Sequence, residues 1–274
     1  MTKLPHSGKF EQLRHILSRH GKLAVAYSGG VDSVFLLKAA VETLGSDNVL
    51  ALTVRAVNFP KSEFRDAEEY AKQLNVRHIV VDLDVLAIPG FVENSPDRCY
   101  FCKKELFGQA AALARANGFS TLADGANMDD LDDYRPGTKA ARELGVVSPL
   151  QQAGLQKSEI RDLLKWFAMP LHAKPAYACL ASRIPYGTPI DAETLRRIEY
   201  AEDFFHTNGF EQVRVRVHGD LARIELDPED RDRFAREGWW EKTAEAMKRI
   251  GFAHASLDLT GYRKGSLNKA AGIG

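Results

Sequence analysis

The chain has 274 residues, 45% of them apolar, and sets 37 Lys and Arg against 37 Asp and Glu, so it carries no formal net charge. That length suits one large domain or two small ones with a real core, and the charge balance argues against a general nucleic-acid binder, which would carry a basic excess. No apolar run approaches a membrane span and the N-terminus lacks the apolar stretch of a signal peptide, so no membrane partner is expected and the chain reads as cytoplasmic.

Residues 7–20 predict a helix capped by Ser7, with Phe10, Leu13, Ile16 and Leu17 on one face and Gly21 at its end. A strand over 22–27 then runs into Ser28-Gly29-Gly30-Val31-Asp32-Ser33, followed by an apolar helix from Val34. Strand, glycine-rich turn and helix form the context in which backbone N–H groups at a helix N-terminus hold a phosphate. Glycine allows close approach because no Cβ intervenes. The hydroxyls of Ser28 and Ser33 add donors, and Asp32 is suited to orient a Mg²⁺ that shields the phosphate charge. A plain serine-capped turn is the competing reading.

The spacing is neither Walker A nor Gly-x-Gly-x-x-Gly. It resembles the pyrophosphate-binding loop of the ATP pyrophosphatase (PP-loop) superfamily, which includes NAD synthetase, GMP synthetase and tRNA thiolation enzymes. The resemblance implies transfer of AMP from ATP to a substrate oxygen, with release of pyrophosphate.

A second buried strand is expected over 49–54, with Asn58 just past its carboxyl end. A helix over 62–74 presents Phe64, Ala67, Tyr70 and Leu74 to the core. A strand at 78–82, a helix at 103–117, a strand at 121–123 and a short fifth strand at 146–147 follow. Strands alternating with amphipathic helices predict an α/β fold, a parallel sheet covered on both faces. Ligands of such sheets bind outside the carboxyl ends of the strands, where Asn58, Asp124 and the glycine-rich loop all fall. From Pro170 to Pro189 the prolines Pro170, Pro175, Pro185 and Pro189 interrupt any periodicity, and so long an irregular stretch is usually functional. Beyond it a helix over 191–207 leads to a hairpin, 213–218 and 222–226 around Gly219-Asp220, with one apolar and one charged face. Helices at 228–236 and 239–250 and a strand at 254–259 complete a smaller α+β domain. The expected division is 1–189 and 190–274.

Three cysteines in a reducing compartment point to metal or catalysis rather than disulfides. Cys99 and Cys102 form a C-x-x-C pair placed just ahead of the helix at 103, and Cys179 lies in the proline-rich segment. A zinc site with a histidine such as His172, a [4Fe–4S] cluster on three thiolates with one iron left for sulfide, and Cys179 acting alone as sulfur donor all remain open.

Cys99-Tyr100-Phe101-Cys102-Lys103-Lys104, the block from Ala123-Asp124-Gly125-Ala126-Asn127 through Asp130 to Gly137, and Ala178-Cys179-Leu180-Ala181-Ser182-Arg183-Ile184-Pro185-Tyr186-Gly187 resemble the LarE family. These are ATP-dependent sulfur transferases of nickel-pincer nucleotide synthesis, the route to the cofactor of lactate racemase. The resemblance implies a Rossmann-like (adenine nucleotide alpha hydrolase-like) domain carrying the cysteines, a C-terminal substrate or oligomerisation domain, and a homo-oligomer. It further implies that ATP, with Mg²⁺, adenylates a carboxylate of pyridinium-3,5-biscarboxylic acid mononucleotide, and that sulfur displaces AMP to give the thiocarboxylate. In one mode of the family the cysteine matching Cys179 gives up its own sulfur; in the other, three cysteines hold a [4Fe–4S] cluster bearing an extra sulfide. All three are present here as Cys99, Cys102 and Cys179, which favours the cluster; the sulfide source is not indicated.

Ser28, Gly29, Gly30, Asp32 and Ser33 are assigned to the triphosphate, with Asn58, Gly125 and Asn127 near the nucleotide. Asp124, Asn127 and Asp130 are site residues or Asx-turn formers. Arg183, four residues after Cys179, is placed to touch AMP or a substrate carboxylate. Arg214, Arg216 and Arg223 alternate onto one hairpin face and suit a mononucleotide phosphate, unless they line a solvated face paired with Glu225. Rival functions are a tRNA thiolase, an amide-forming synthetase such as NAD synthetase, and a non-catalytic zinc-bound nucleotide-binding protein.

Overall fold

A computed structural model describes residues 4–131, 136–174 and 178–263; Asp132 to Arg135 of the second family-like block, and Pro175, lie outside the described residues. The chain forms two compact units, one of residues 1–56, 61–84 and 99–177, the other of 57–60, 85–98 and 178–274. The 189/190 boundary expected from composition falls inside the second of these. Among the described residues no helix is long and apolar enough to cross a membrane.

The first unit opens with α1 (Ser7–Ser18), β1 (Leu23–Ala26) and α2 (Val31–Leu44). His6, in the left-handed conformation, rather than Ser7 occupies the cap position of α1, and no side chain caps it. Then come β2 (Val49–Arg55), α3 (Lys61–Gln73), β3 (Arg77–Asp82), α4 (Arg98–Ala116) and β4 (Leu122–Ala123). The helices α5 (Pro136–Glu143), α6 (Pro149–Gln152) and α7 (Lys157–Trp166) complete it. The sheet is parallel, in the order β3-β2-β1-β4. Six of the seven residues of β2 are buried, as a strand covered on both faces requires. β3 is an edge strand and is half exposed. The fifth strand expected at 146–147 is a single bridge from Val147 to Ala123.

From β1 the chain steps outward to β2 and β3, then returns to the opposite side of β1 at β4. The switch point of the sheet therefore lies between β1 and β4, and the loops leaving their carboxyl ends begin at Tyr27 and Asp124. Leu13 and Leu17 of α1, Phe35 and Leu36 of α2, and Ile160, Leu163 and Leu164 of α7 are fully buried with β1 and β2 in one core. On α3 the buried positions are Glu63, Ala67 and Ala71, while Phe64 is half exposed.

In the second unit α8 (Ala192–Thr207), capped by Asp191 through the Thr194 N–H, packs on an antiparallel hairpin. Its strands, β5 (Val213–His218) and β6 (Leu221–Leu226), pair Val213 with Leu226 and Arg216 with Arg223. The helices α9 (Pro228–Arg236) and α10 (Trp240–Ile250) and the strand β7 (His254–Leu257), parallel to β6, follow. Phe205, Phe210 and Phe234 are fully buried, with Trp239 edge-on to Phe210 at 5.2 Å. Of the two readings of the hairpin's charged face, a fully solvated one does not hold, because Arg214, Arg216 and Glu225 are each at most 5% exposed, while Arg223 stays partly open.

Candidate functional site

The loop after β1 folds back on itself through its serines. Ser33 Oγ donates to the Gly30 carbonyl at 3.0 Å, lies 3.1 Å from Ser28 Oγ, and accepts from the Ser28 N–H at 3.3 Å. Gly29 takes φ +76°, and a Cβ there would lie 2.7 Å from the Glu63 carbonyl oxygen of α3. Both constraints demand glycine. Gly30 caps α2 with no side-chain hydrogen bond of its own, so the first turn of α2 presents N–H groups in the geometry that binds anions.

Gly125 is required for a reason composition does not reveal. A Cβ there would stand 2.9 Å from the Ser33 N atom, so the β4 turn packs directly on the first turn of α2. Asp124 accepts from Ser148 Oγ at 2.7 Å and from the Ala126 N–H at 3.2 Å. Asn127, 1% exposed, caps a short 3₁₀ turn in a reciprocal box with Asp130. Asp124 and Asn127 thus shape the turn, and the Asp130 carboxylate is felt at Asp32.

Asp32 occupies the second position of α2. Burial pushes its carboxyl above its ordinary value, and Lys157 draws it back. Oδ2 lies 3.4 Å from Lys157 Nζ, while Oδ1 is buried with no hydrogen-bond partner among the described residues. A carboxylate oxygen in that condition fits a hard cation such as Mg²⁺, which takes oxygen ligands. Lys157, at the start of α7, was not anticipated. A cation at the positive end of a helix dipole is disfavoured, and that anomaly is the sequence signal that could have identified it.

In the second unit Cys179 is half-buried and immediately precedes a 3₁₀ turn, Leu180–Arg183. Asn58, fully buried, donates from Nδ2 to Cys179 Sγ at 3.0 Å, and its carbonyl accepts from the Leu180 N–H at 2.8 Å. Arg183 does not reach outward to a ligand as expected. Its side chain is 0% exposed, bonded through Nε and Nη2 to both oxygens of Glu202, at 2.9 and 2.7 Å. Its remaining nitrogen donates to the carbonyls of Ala178 and Cys179. The reason is packing: α8 brings Glu202 beneath the turn, and a buried guanidinium takes the bidentate partner. Arg183 therefore fixes the backbone at Cys179 as a positioning residue. Asn94, also fully buried, holds the far side of this segment through the carbonyls of Pro185 and Thr188, both at 2.8 Å.

The hairpin arginines are differently committed. Arg216 pairs with Glu225 at 2.9 Å and donates to the Ser182 carbonyl at 2.7 Å. Arg223 bridges Glu225 and Asp258 and is the most exposed of the three. Arg214 donates to the Val213 carbonyl and faces the Tyr262 ring; burial, then the neighbouring Arg183, lower its affinity for its proton. These arginines, Arg183 and the carboxylates of Glu202, Glu225 and Asp258 form one cluster of charge within the second unit.

Cys99 and Cys102 do not precede a helix but sit within the first turns of α4, which starts at Arg98. Spaced i and i+3, they share a face, with Cys99 exposed and Cys102 buried. These two belong to the first unit and Cys179 to the second. Three thiolates fit an iron–sulfur cluster in donor chemistry; among the described residues no three His, Cys, Asp or Glu side chains gather as a metal site within either unit.

The NAD synthase family matches the chain over residues 11–98, the stretch that holds the loop. An uncharacterised protein of Synechocystis sp. is 40% identical over 261 residues, covering 95% of this chain and 97% of that protein. The pyridinium-3,5-bisthiocarboxylic acid mononucleotide synthase of Lactiplantibacillus plantarum is 36% identical, covering 90% of this chain and 89% of the enzyme. An uncharacterised protein of Methanocaldococcus jannaschii is 29% identical over 248 residues, 89% of this chain and 92% of its own.

Proposed function

Since the chain belongs to the LarE family, that of the pyridinium-3,5-bisthiocarboxylic acid mononucleotide synthases, we propose that it replaces a carboxylate oxygen of the corresponding biscarboxylic acid mononucleotide with sulfur. It is an ATP-dependent enzyme that forms AMP and pyrophosphate. The single observation that carries the sulfur assignment is the placement of Cys179: a fully buried amide donates to its Sγ, and Arg183 pins its carbonyl.

Ser28, Gly29, Gly30 and Ser33 would hold the triphosphate, and Asp32, one of whose oxygens has no hydrogen-bond partner among the described residues, would hold Mg²⁺ to neutralise its charge. The substrate carboxylate attacks the α-phosphorus and pyrophosphate leaves, a step that depends on alignment and charge neutralisation. The sulfur nucleophile then attacks the acyl carbon, the C–O bond to AMP breaks, and the thiocarboxylate remains. Arg214, Arg216 and Arg223 are the arginines assigned to the mononucleotide phosphate, Arg223 being the most accessible. Asn58, Gly125 and Asn127 support the nucleotide and sulfur loops. Cys99, Cys102 and Cys179 would hold a [4Fe–4S] cluster, which when bound supplies an iron site for a transferable sulfide. The enzyme is read as cytoplasmic and homo-oligomeric.

The hydrogen bond already made to Cys179 Sγ favours a second reading, in which that sulfur itself is transferred. Anaerobic purification with iron and sulfide analysis, followed by intact mass after turnover, separates the two. About four iron per chain and an unchanged mass support the cluster; loss of the elements of H₂S at Cys179 supports sacrifice; ATP turnover with neither sulfur transfer nor iron removes both.

A further inference from the structure

Two cations of α7, Lys157 and Arg161, act on the Asp32 carboxylate. Arg161 is committed to main chain, donating to the carbonyls of His172 and Lys174. Lys157, four residues earlier, has among the described residues one side-chain partner, Asp32 Oδ2 at 3.4 Å. The pair is loose and partly open to solvent, the two side chains being 34% and 22% exposed, so it is a weak one. The backbone beneath it is firm. The Lys157 N–H donates to Asp129 Oδ2 at 2.6 Å, and Gln156 and Glu159 form a reciprocal cap. An ammonium on a flexible stem thus stands at a helix N-terminus that disfavours it, anchored at the backbone and lightly tied at the tip to the carboxylate assigned to Mg²⁺.

We propose that Lys157 is an exchangeable counter-ion: it occupies Asp32 until Mg²⁺ takes that carboxylate, and its ammonium then passes to the triphosphate of ATP. The inference rests on the reading of the 28–33 loop as an ATP site. A divalent ion at Asp32 would repel the ammonium, and the phosphate chain of bound ATP would offer it the largest added negative charge. Lys157 and Mg²⁺ therefore compete for Asp32 but cooperate on ATP, so that removing the ammonium moves two affinities in opposite directions. A purely structural lysine would not do that.

The test uses the full chain, Mn²⁺ alone as a paramagnetic probe of the cation site, and a non-hydrolysable α,β-methylene analogue of ATP with Mg²⁺. Lys157→Met is expected to bind Mn²⁺ at least threefold more tightly and the analogue at least tenfold more weakly, about 1.4 kcal/mol. Lys157→Arg should recover most of the analogue affinity, and Asp32→Asn should abolish Mn²⁺ binding in either background. Mn²⁺ affinity unchanged or weakened in Lys157→Met, or analogue affinity within twofold of the parent, overturns the proposal. Lys157→Gln replaces Lys157→Met should the latter fail to fold. Failure of the parent protein to bind the analogue overturns the ATP reading itself; binding by the parent with no response to substitution removes the role of Lys157 alone.

Discussion

Gly29 and Gly30 are neighbours with opposite tolerances. Alanine at Gly29 must adopt φ +76° and place its Cβ 2.7 Å from a backbone oxygen of α3, so Gly29→Ala should cost about 1–3 kcal/mol in strain alone. At Gly30 a Cβ meets only Ser28 Oγ, at 3.4 Å. Gly30→Ala should change stability by less than about 0.5 kcal/mol while weakening the ATP analogue by crowding the phosphate. Urea unfolding and calorimetric titration read the two effects separately. The buried pair beneath Cys179 makes a further claim. Burial alone would push the Glu202 carboxyl up, but the Arg183 guanidinium, its hydrogen bonds and Arg214 bring it below its ordinary value of 4.5. The unfolded chain therefore takes up this proton first. The stabilisation is complete above about pH 4.5 and is lost as the pH falls below that toward the folded value. Arg183→Met should cost about 3–5 kcal/mol, because Glu202 is then buried alone; Arg183→Met with Glu202→Leu should recover part of the loss at neutral pH and flatten the acid limb of the stability curve. At this scale the strand, glycine turn and helix around residues 28–33 were legible in the sequence, because a glycine-rich run between two apolar stretches is itself a local signal. The burial of Arg183 was not, because its partner arrives from another element, 19 positions away.

Elements were legible where their signals are local. The apolar run of β2, the helix expected over 191–207 and the Gly219-Asp220 turn all stand where the sequence puts them. The start of α4 was misplaced although Ser95-Pro96-Asp97 precedes it, a sequence that suits a helix start. The correction matters because it puts Cys99 and Cys102 on a helical face instead of a flexible approach. The hairpin shows the opposite failure: alternation gave the strands but said nothing of what covers the charged face. Glu225, 1% exposed, is shared by Arg216 and Arg223. Glu225→Gln should therefore destabilise by about 3 kcal/mol, leaving a buried guanidinium without its carboxylate. Arg223→Ala should cost less than about 1 kcal/mol, since that side chain is partly solvated, yet weaken the mononucleotide substrate. Denaturant melts set against substrate affinity test the contrast.

On the scale of the whole molecule, the large apolar core containing Leu13, Phe35 and Leu163 lies within the first unit, and the aromatic group around Phe210 within the second. Calorimetric unfolding should depart from a single two-state transition. A saturating ATP analogue with Mg²⁺, at about one hundred times its dissociation constant, should raise the transition of the unit holding the phosphate loop by about 5–10 °C. An equal shift of every transition would contradict this.

The path of the chain through these units has a genetic consequence. It passes from one to the other five times, after Ala56, Pro60, Asp84, Arg98 and Tyr177, and Asn58 is carried on the shortest of these excursions. No single crossover between two such genes could exchange one whole unit for another, and neither unit is encoded by one continuous stretch of the chain. An exchange after Tyr177 would instead set the Cys179 turn of one protein against the Asn58 of another, so that contact has to be kept by matched residues on both sides of the join.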